Sequence, residues 1–150
     1  MRHDGLSEFP VVVTLPVQWG DQDSFGHVNN TVYLRWCETA RIEYLIRVGL
    51  WMVAPDGTGP ILAAISCDYR RPLRFPCNVR IGARVTKIGN SSFRMEHLVV
   101  GDVDNTVAAE AHSTLVVLNY KHGKPVPVPD AVREAIERLE DRTFERPAAV

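Results

Sequence analysis

The chain has 150 residues, enough for one domain with a sizeable core, and at 45% hydrophobic and 23% charged it has the balance of an ordinary globular protein. Its 17 basic and 18 acidic side chains leave a formal net charge of −1, which argues against broad binding to nucleic acid or to an anionic membrane. Cys37, Cys67 and Cys77 are odd in number and form no CxxC pair, so free thiols in a reducing compartment are expected. The first residues lack an apolar signal core and no stretch reaches membrane-spanning length, so a cytoplasmic location is the default expectation.

Residues 9–19, FPVVVTLPVQW, are β-branched and apolar and predict a strand, which Pro16 restricts to a sheet edge or a bulge. Residues 20–30, GDQDSFGHVNN, then crowd carboxylates, an imidazole, amides and glycines into one junction. Beyond it, Tyr33, Trp36, Cys37, Ala40, Tyr44 and Val48 recur at helical spacing. Thr31, Arg35, Thr39, Glu43 and Arg47 form a narrow polar stripe on an otherwise apolar cylinder, the pattern of a helix embraced by other structure. Gly49 is its expected stop, and residues 54–60 read as a loop.

Four strand-like runs follow, at 61–70, 77–88, 91–100 and 106–119. Val79, Ile81, Ala83 and Val85 alternate cleanly, as do Phe93, Met95, His97 and Val99. Gly89-Asn90 and residues 101–105 supply hairpin turns, so an antiparallel meander is the natural reading. Residues 124–130 are an extended Pro-rich exit, and Val132, Ala135, Ile136 and Leu139 share one face of a short surface helix within 130–142. The expected architecture is a single α+β domain over 1–150, with its core in about 9–125. In it a five-stranded antiparallel sheet wraps around one long central helix. An open sheet edge would invite a second copy of the chain.

The polar junction admits several readings. Asp21, Asp23 and Gly26 match the first, third and sixth positions of a calcium loop, but Phe25 and Val32 stand where ligands are needed. A transition-metal site from Asp21, Asp23 and His27 follows no known ligand spacing. Asn29 or Asn30 would cap the helix, which accounts for one side chain and leaves Asp23, Gly26 and His27 unexplained. A catalytic reading uses all of them. A glycine turn lets backbone approach a ligand, a carboxylate serves as base or nucleophile, and the helix N-terminal N–H groups hold an oxyanion.

The string WGDQDSFGHVNNTVYLRWCETAR, residues 19–41, resembles the signature of hotdog-fold acyl-CoA thioesterases of the 4-hydroxybenzoyl-CoA thioesterase-like superfamily. The resemblance rests on the Asp-x-Asp pair, Gly26, the run His27-Val28-Asn29-Asn30, Tyr33 and the helical pair Glu38 and Arg41. Downstream, Tyr69, the Pro72-Leu73 bend, Gly89 and Ser91-Ser92 are similar as well, so the likeness covers about residues 9–125. It implies a hotdog fold, acyl-CoA as substrate, and coenzyme A present only as part of that substrate. No metal and no other cofactor are implied, and the active site falls between the subunits of a homodimer or homotetramer.

By the same resemblance Asp23 is the catalytic carboxylate, attacking the thioester or activating water, and His27 bonds the carbonyl region. Gly26, Val28, Asn29, Asn30 and Tyr33 fall around the substrate. One branch of the family has its functional His where this chain has Asn30. Another uses a helical Glu, which falls on Glu38, although Arg41 offers it a structural partner. Acyl-carrier-protein thioesterases place an Asn where this chain has Phe25. Arg70, Arg71 and Arg74 are the densest basic cluster, either contacts for coenzyme A phosphates or a solvated face. Asp21 reads as structural, His97 and His112 as sheet residues, and Ser91 and Ser92 as turn residues. A carrier-protein thioesterase, another hotdog activity and a non-catalytic acyl-CoA binder are the rival functions.

Overall fold

The computed structural model describes residues 5–147. The elements are β1 (Val11–Pro16), α1 (Asn30–Val48), β2 (Thr58–Tyr69), β3 (Asn78–Ile88), β4 (Ser92–Gly101), β5 (Thr106–Asn119), β6 (Lys124–Pro125) and α2 (Asp130–Glu140). The strands form one antiparallel sheet in the order β1-β3-β4-β5-β2, with β6 adding a short rung beside β5.

The curled antiparallel sheet against one long helix is as expected, and two details differ. The meander holds for β3, β4 and β5, but β2 does not pair with β3. It lies antiparallel to β5, from Thr58 opposite Asn119 to Tyr69 opposite Ala109. Residues 70–77, with Pro72 and Pro76, therefore form a crossing link rather than a hairpin. β2 also begins at Thr58, inside the expected loop, because it runs on beside the far end of β5. Pro60 is tolerated there because an edge strand has only one row of ladder bonds. Pro16 closes β1, the other edge, opposite Asn78.

α1 begins where Asn29 caps it and ends at Gly49, which adopts the left-handed conformation (φ 78°) that favours glycine. It packs on β1, β3, β4 and α2. Tyr44, Leu45, Ile81, Phe93 and Met95 are fully buried in that seam, each worth about 1.5–3 kcal/mol of apolar burial. The embrace is incomplete, because Ile42 and Ile46 stay 40% and 45% exposed. α2 lays Val132 and the fully buried Ile136 into the same core.

Candidate active site

The segment between β1 and α1 is built by its own polar side chains. Asp21 is buried. Its Oδ2 accepts the Gln18 N–H at 2.8 Å, its Oδ1 accepts from Arg35 Nη2 at 3.2 Å, and its carbonyl accepts the Asn29 N–H at 2.8 Å. All of Asp21 is thus spent on holding the turn against the helix. Asp23 differs. Its Oδ1 accepts the Phe25 N–H at 2.8 Å, and its own N–H donates to the His27 carbonyl at 2.8 Å. Oδ2 has no protein partner among the described residues. The tight turn from Asp23 to His27 needs a left-handed residue, and Gly26 supplies it at φ 82°.

The N-terminus of α1 decides which amides face a ligand. Val28 N–H donates to the Leu73 carbonyl at 2.8 Å, which ties the segment to the crossing link. Asn29 N–H is taken by Asp21. Asn29 Oδ1, the cap, accepts from the Thr31 N–H at 3.0 Å and from Thr31 Oγ1 at 2.9 Å. Of the four amides from Val28 to Thr31 expected to hold an oxyanion, three are engaged within the protein. Among the described residues only the Asn30 N–H of this set is open, at the positive end of the helix dipole.

Asn30 lines a cleft of about 350 Å³. Asp23, His27, Val28, Asn30 and Tyr33 line it together with Tyr69, Arg70, Arg71 and Pro72. The Tyr33 and Tyr69 rings meet edge to face at 5.1 Å, and the Tyr69 hydroxyl donates to the Asn30 carbonyl at 2.9 Å. The Tyr33 hydroxyl donates to the Arg71 carbonyl at 3.4 Å. Burial pushes both phenols up to about 12, so they stay neutral and act as walls and donors. Sequence reasoning did not assign Tyr69 to the site. Its signal was a strand-end tyrosine directly before the Arg-Arg-Pro bend.

Gly26, Asn29, Glu38 and Arg74 are not among the residues lining the cleft. Gly26 is exposed and shapes the turn, and Asn29 is occupied as the cap. Glu38 projects into solvent two turns along α1, 4.0 Å from the buried Arg41. The three arginines divide. Arg70 pairs with Glu110 at 3.0 Å, and Arg74 places Nη2 at 2.8 Å from His27 Nε2. Arg71 lines the cleft with no ion pair among the described residues. His97 is buried with Nε2 at 3.1 Å from Ser113 Oγ, while His112 is exposed on the outer face, 3.9 Å from Glu96. Among the described residues, no three His, Cys, Asp or Glu side chains gather as a metal site requires. No helix there is long and apolar enough to cross a membrane.

A curled antiparallel sheet on one long helix, with a carboxylate-bearing turn at that helix's N-terminus, defines a hotdog-fold domain. The chain belongs to the thioesterase-like superfamily, whose sequence profile matches residues 17–136, and so to a family of thioester hydrolases. It is 40% identical to a thioesterase from Thermus thermophilus, solved with coenzyme A and zinc. That match covers 91% of this chain and 98% of the other, with a TM-score of 0.80. The chloroplastic acyl-acyl carrier protein thioesterase ATL3 of Arabidopsis thaliana is 29% identical over 131 residues, which is 86% of this chain and 68% of that protein. The long-chain acyl-CoA thioesterase FadM of Escherichia coli is 26% identical over 119 residues, covering 78% of this chain and 89% of that one.

Proposed function

We propose that the protein hydrolyses acyl-CoA thioesters to the free acid and coenzyme A. The observation that carries this reading is the Asn30 N–H, left open by the described residues at the start of α1, on a residue that lines one cleft with Asp23 and His27. A thioester carbonyl oxygen placed at that N–H meets a preorganised positive dipole just where charge develops. Asp23 Oδ2 takes a proton from water as it adds to the carbonyl carbon. In the alternative route it attacks that carbon itself and expels the thiolate, which takes its proton from water. This leaves a mixed anhydride that a second water hydrolyses to the free acid and the regenerated carboxylate. Collapse of the tetrahedral adduct breaks the C–S bond. In the water route, the proton held by Asp23 then passes to the departing sulfur. Charge stabilisation comes from backbone, so the reading needs no resident metal or redox cofactor. Arg71, which lines the cleft without an ion pair among the described residues, is the arginine available to meet coenzyme A phosphates. Similarity to a thioesterase solved with coenzyme A supports the same substrate class.

The test is thiol release from short, long and aromatic acyl-CoAs by wild type and Asp23→Asn. The amide keeps the acceptor for the Phe25 N–H and removes the base. Loss of about 10²-fold or more in kcat is expected. Unchanged turnover would overturn the mechanism, and tight binding without turnover in wild type would make the protein a binder. A carrier-protein substrate is the second reading, favoured by the likeness to the plant enzyme. Comparing acyl-CoA with acyl-carrier protein separates the two.

A further inference from the structure

We propose that Arg74 is a positioning residue for His27, fixing the imidazole with its proton on Nδ1 so that it serves as a second hydrogen-bond donor to the thioester carbonyl. The proposal rests on the reading of this cleft as the thioesterase centre. A guanidinium has donors and no acceptor. At 2.8 Å from Arg74 Nη2, His27 Nε2 must therefore be the acceptor. Its lone pair is occupied, and the ring's one proton sits on Nδ1. An imidazole held in this way has no free lone pair with which to act as general base at Nε2. What remains to it is donation, which leaves proton abstraction to Asp23.

The contact is built by its surroundings. Both neighbours of Arg74 are bonded to the catalytic segment: the Leu73 carbonyl accepts the Val28 N–H at 2.8 Å, and the Phe75 N–H donates to Gln22 Oε1 at 3.3 Å. These two bonds set Arg74 between them, opposite His27. The arrangement also meets a need of the cleft. Among the described residues only one amide from Val28 to Thr31 is open, whereas a tetrahedral oxyanion is best held by two donors. Arg74 thereby leaves the phosphate-binding set that its sequence position suggested.

Two readouts test this. In protein with 15N-labelled histidine, long-range proton–nitrogen correlation spectra should show His27 of the wild type as the Nδ1–H tautomer. Arg74→Met, which removes the donor, should move it toward Nε2–H. In kinetics, Arg74→Met should lower kcat by about tenfold to 10²-fold with KM little changed. The loss should be equal for acyl-CoA and for acyl-pantetheine, which lacks the nucleotide phosphates. Arg74→Lys, which keeps a donor, should recover part of it, and Arg74→Met should add nothing in a His27→Ala background. A wild-type His27 with its proton on Nε2 overturns the proposal. So does an Arg74→Met effect confined to KM for acyl-CoA, which would mark a phosphate contact. Full activity in His27→Ala overturns the proposal and leaves the thioesterase reading standing, provided that Asp23→Asn is inactive.

Discussion

Asp21 and Asp23 lie two positions apart and are distinguished by what each already holds. Asp21 is buried and bonded through both oxygens, so Asp21→Ala strands the Gln18 N–H and frees Arg35. A stability loss of about 1–3 kcal/mol is expected from urea unfolding. Asp23→Asn should instead unfold within about 0.5 kcal/mol of wild type while losing turnover. If the two variants swap these behaviours, the assignment is wrong. The doublet was visible in the sequence, and the resemblance pointed to its second member. Which amides stay open was not visible, because the acceptors come from distant segments, as the Leu73 carbonyl does for Val28. The Arg74–His27 contact was hidden for the same reason. His97 gives a further residue-level expectation. Burial foremost, then the nearby Arg41 and His112 charges, push its pKa down to about 3, below the usual value near 6.5. The unfolded chain therefore takes up a proton that the native state refuses. The stabilisation is full above about pH 6.5 and falls as pH drops toward 3, by at most about 1.4 kcal/mol per unit. His97→Gln should lose stability less steeply between about pH 6.5 and 4.5 when urea midpoints are compared. Parallel slopes would show that His97 is not the group responsible.

Among the elements, α1 was the most legible, because its caps and spacing are local properties of the chain. Asn29 and Gly49 mark its ends. Its degree of coverage was not legible, since that depends on how far the sheet curls. α2 shows what periodicity leaves out. Its apolar stripe predicted a face, and the structure adds a polar lock that no spacing rule gives. The Tyr44 hydroxyl donates to Glu140 Oε2 at 2.6 Å, and the same oxygen accepts the Val85 N–H at 3.1 Å. The β3–β4 register shifts between Val85 and Lys87, where the regular ladder is interrupted. One carboxylate thus joins the last turn of α2 to the C-terminal part of α1 and to β3. Burial raises the Glu140 pKa, so its hydrogen bonds replace lost hydration. Tyr44→Phe keeps the ring and removes the donor. It should cost about 1.5–3 kcal/mol, the range for a bond to a charged group, and it should free α2 first. Hydrogen exchange would show this as faster exchange at 130–140 than in β3 or β4. Uniform acceleration across the sheet would mean that α2 is not a separable unit.

At the scale of the whole molecule, the strand order places the two edges and the cleft in relation to each other. β2 was readable as a strand, but its neighbour was not, because an alternating pattern does not name a partner. With β5 on one side only, this 12-residue strand offers a long row of unpaired backbone groups. Ile61, Leu62 and Tyr69 along it are 43%, 40% and 45% exposed, and Ile42 and Ile46 of α1 are similarly open. Tyr69 ends this strand and also lines the cleft, so the open edge runs directly into the site. An edge of this length and composition is a template for pairing with another strand. A second copy meeting β2 antiparallel to β2 would satisfy it, burying about 1,200–2,000 Å² in a standard-sized interface. A homodimer with the cleft at the subunit boundary is therefore expected. Ile61→Lys or Ile42→Lys should weaken it by about tenfold or more in sedimentation velocity, equivalent to about 1.4 kcal/mol. Specific activity should then fall on dilution in step with the dimer fraction, although neither side chain lines the cleft. Full specific activity from a protein that sediments as a monomer at assay concentration would refute both the pairing and the shared site.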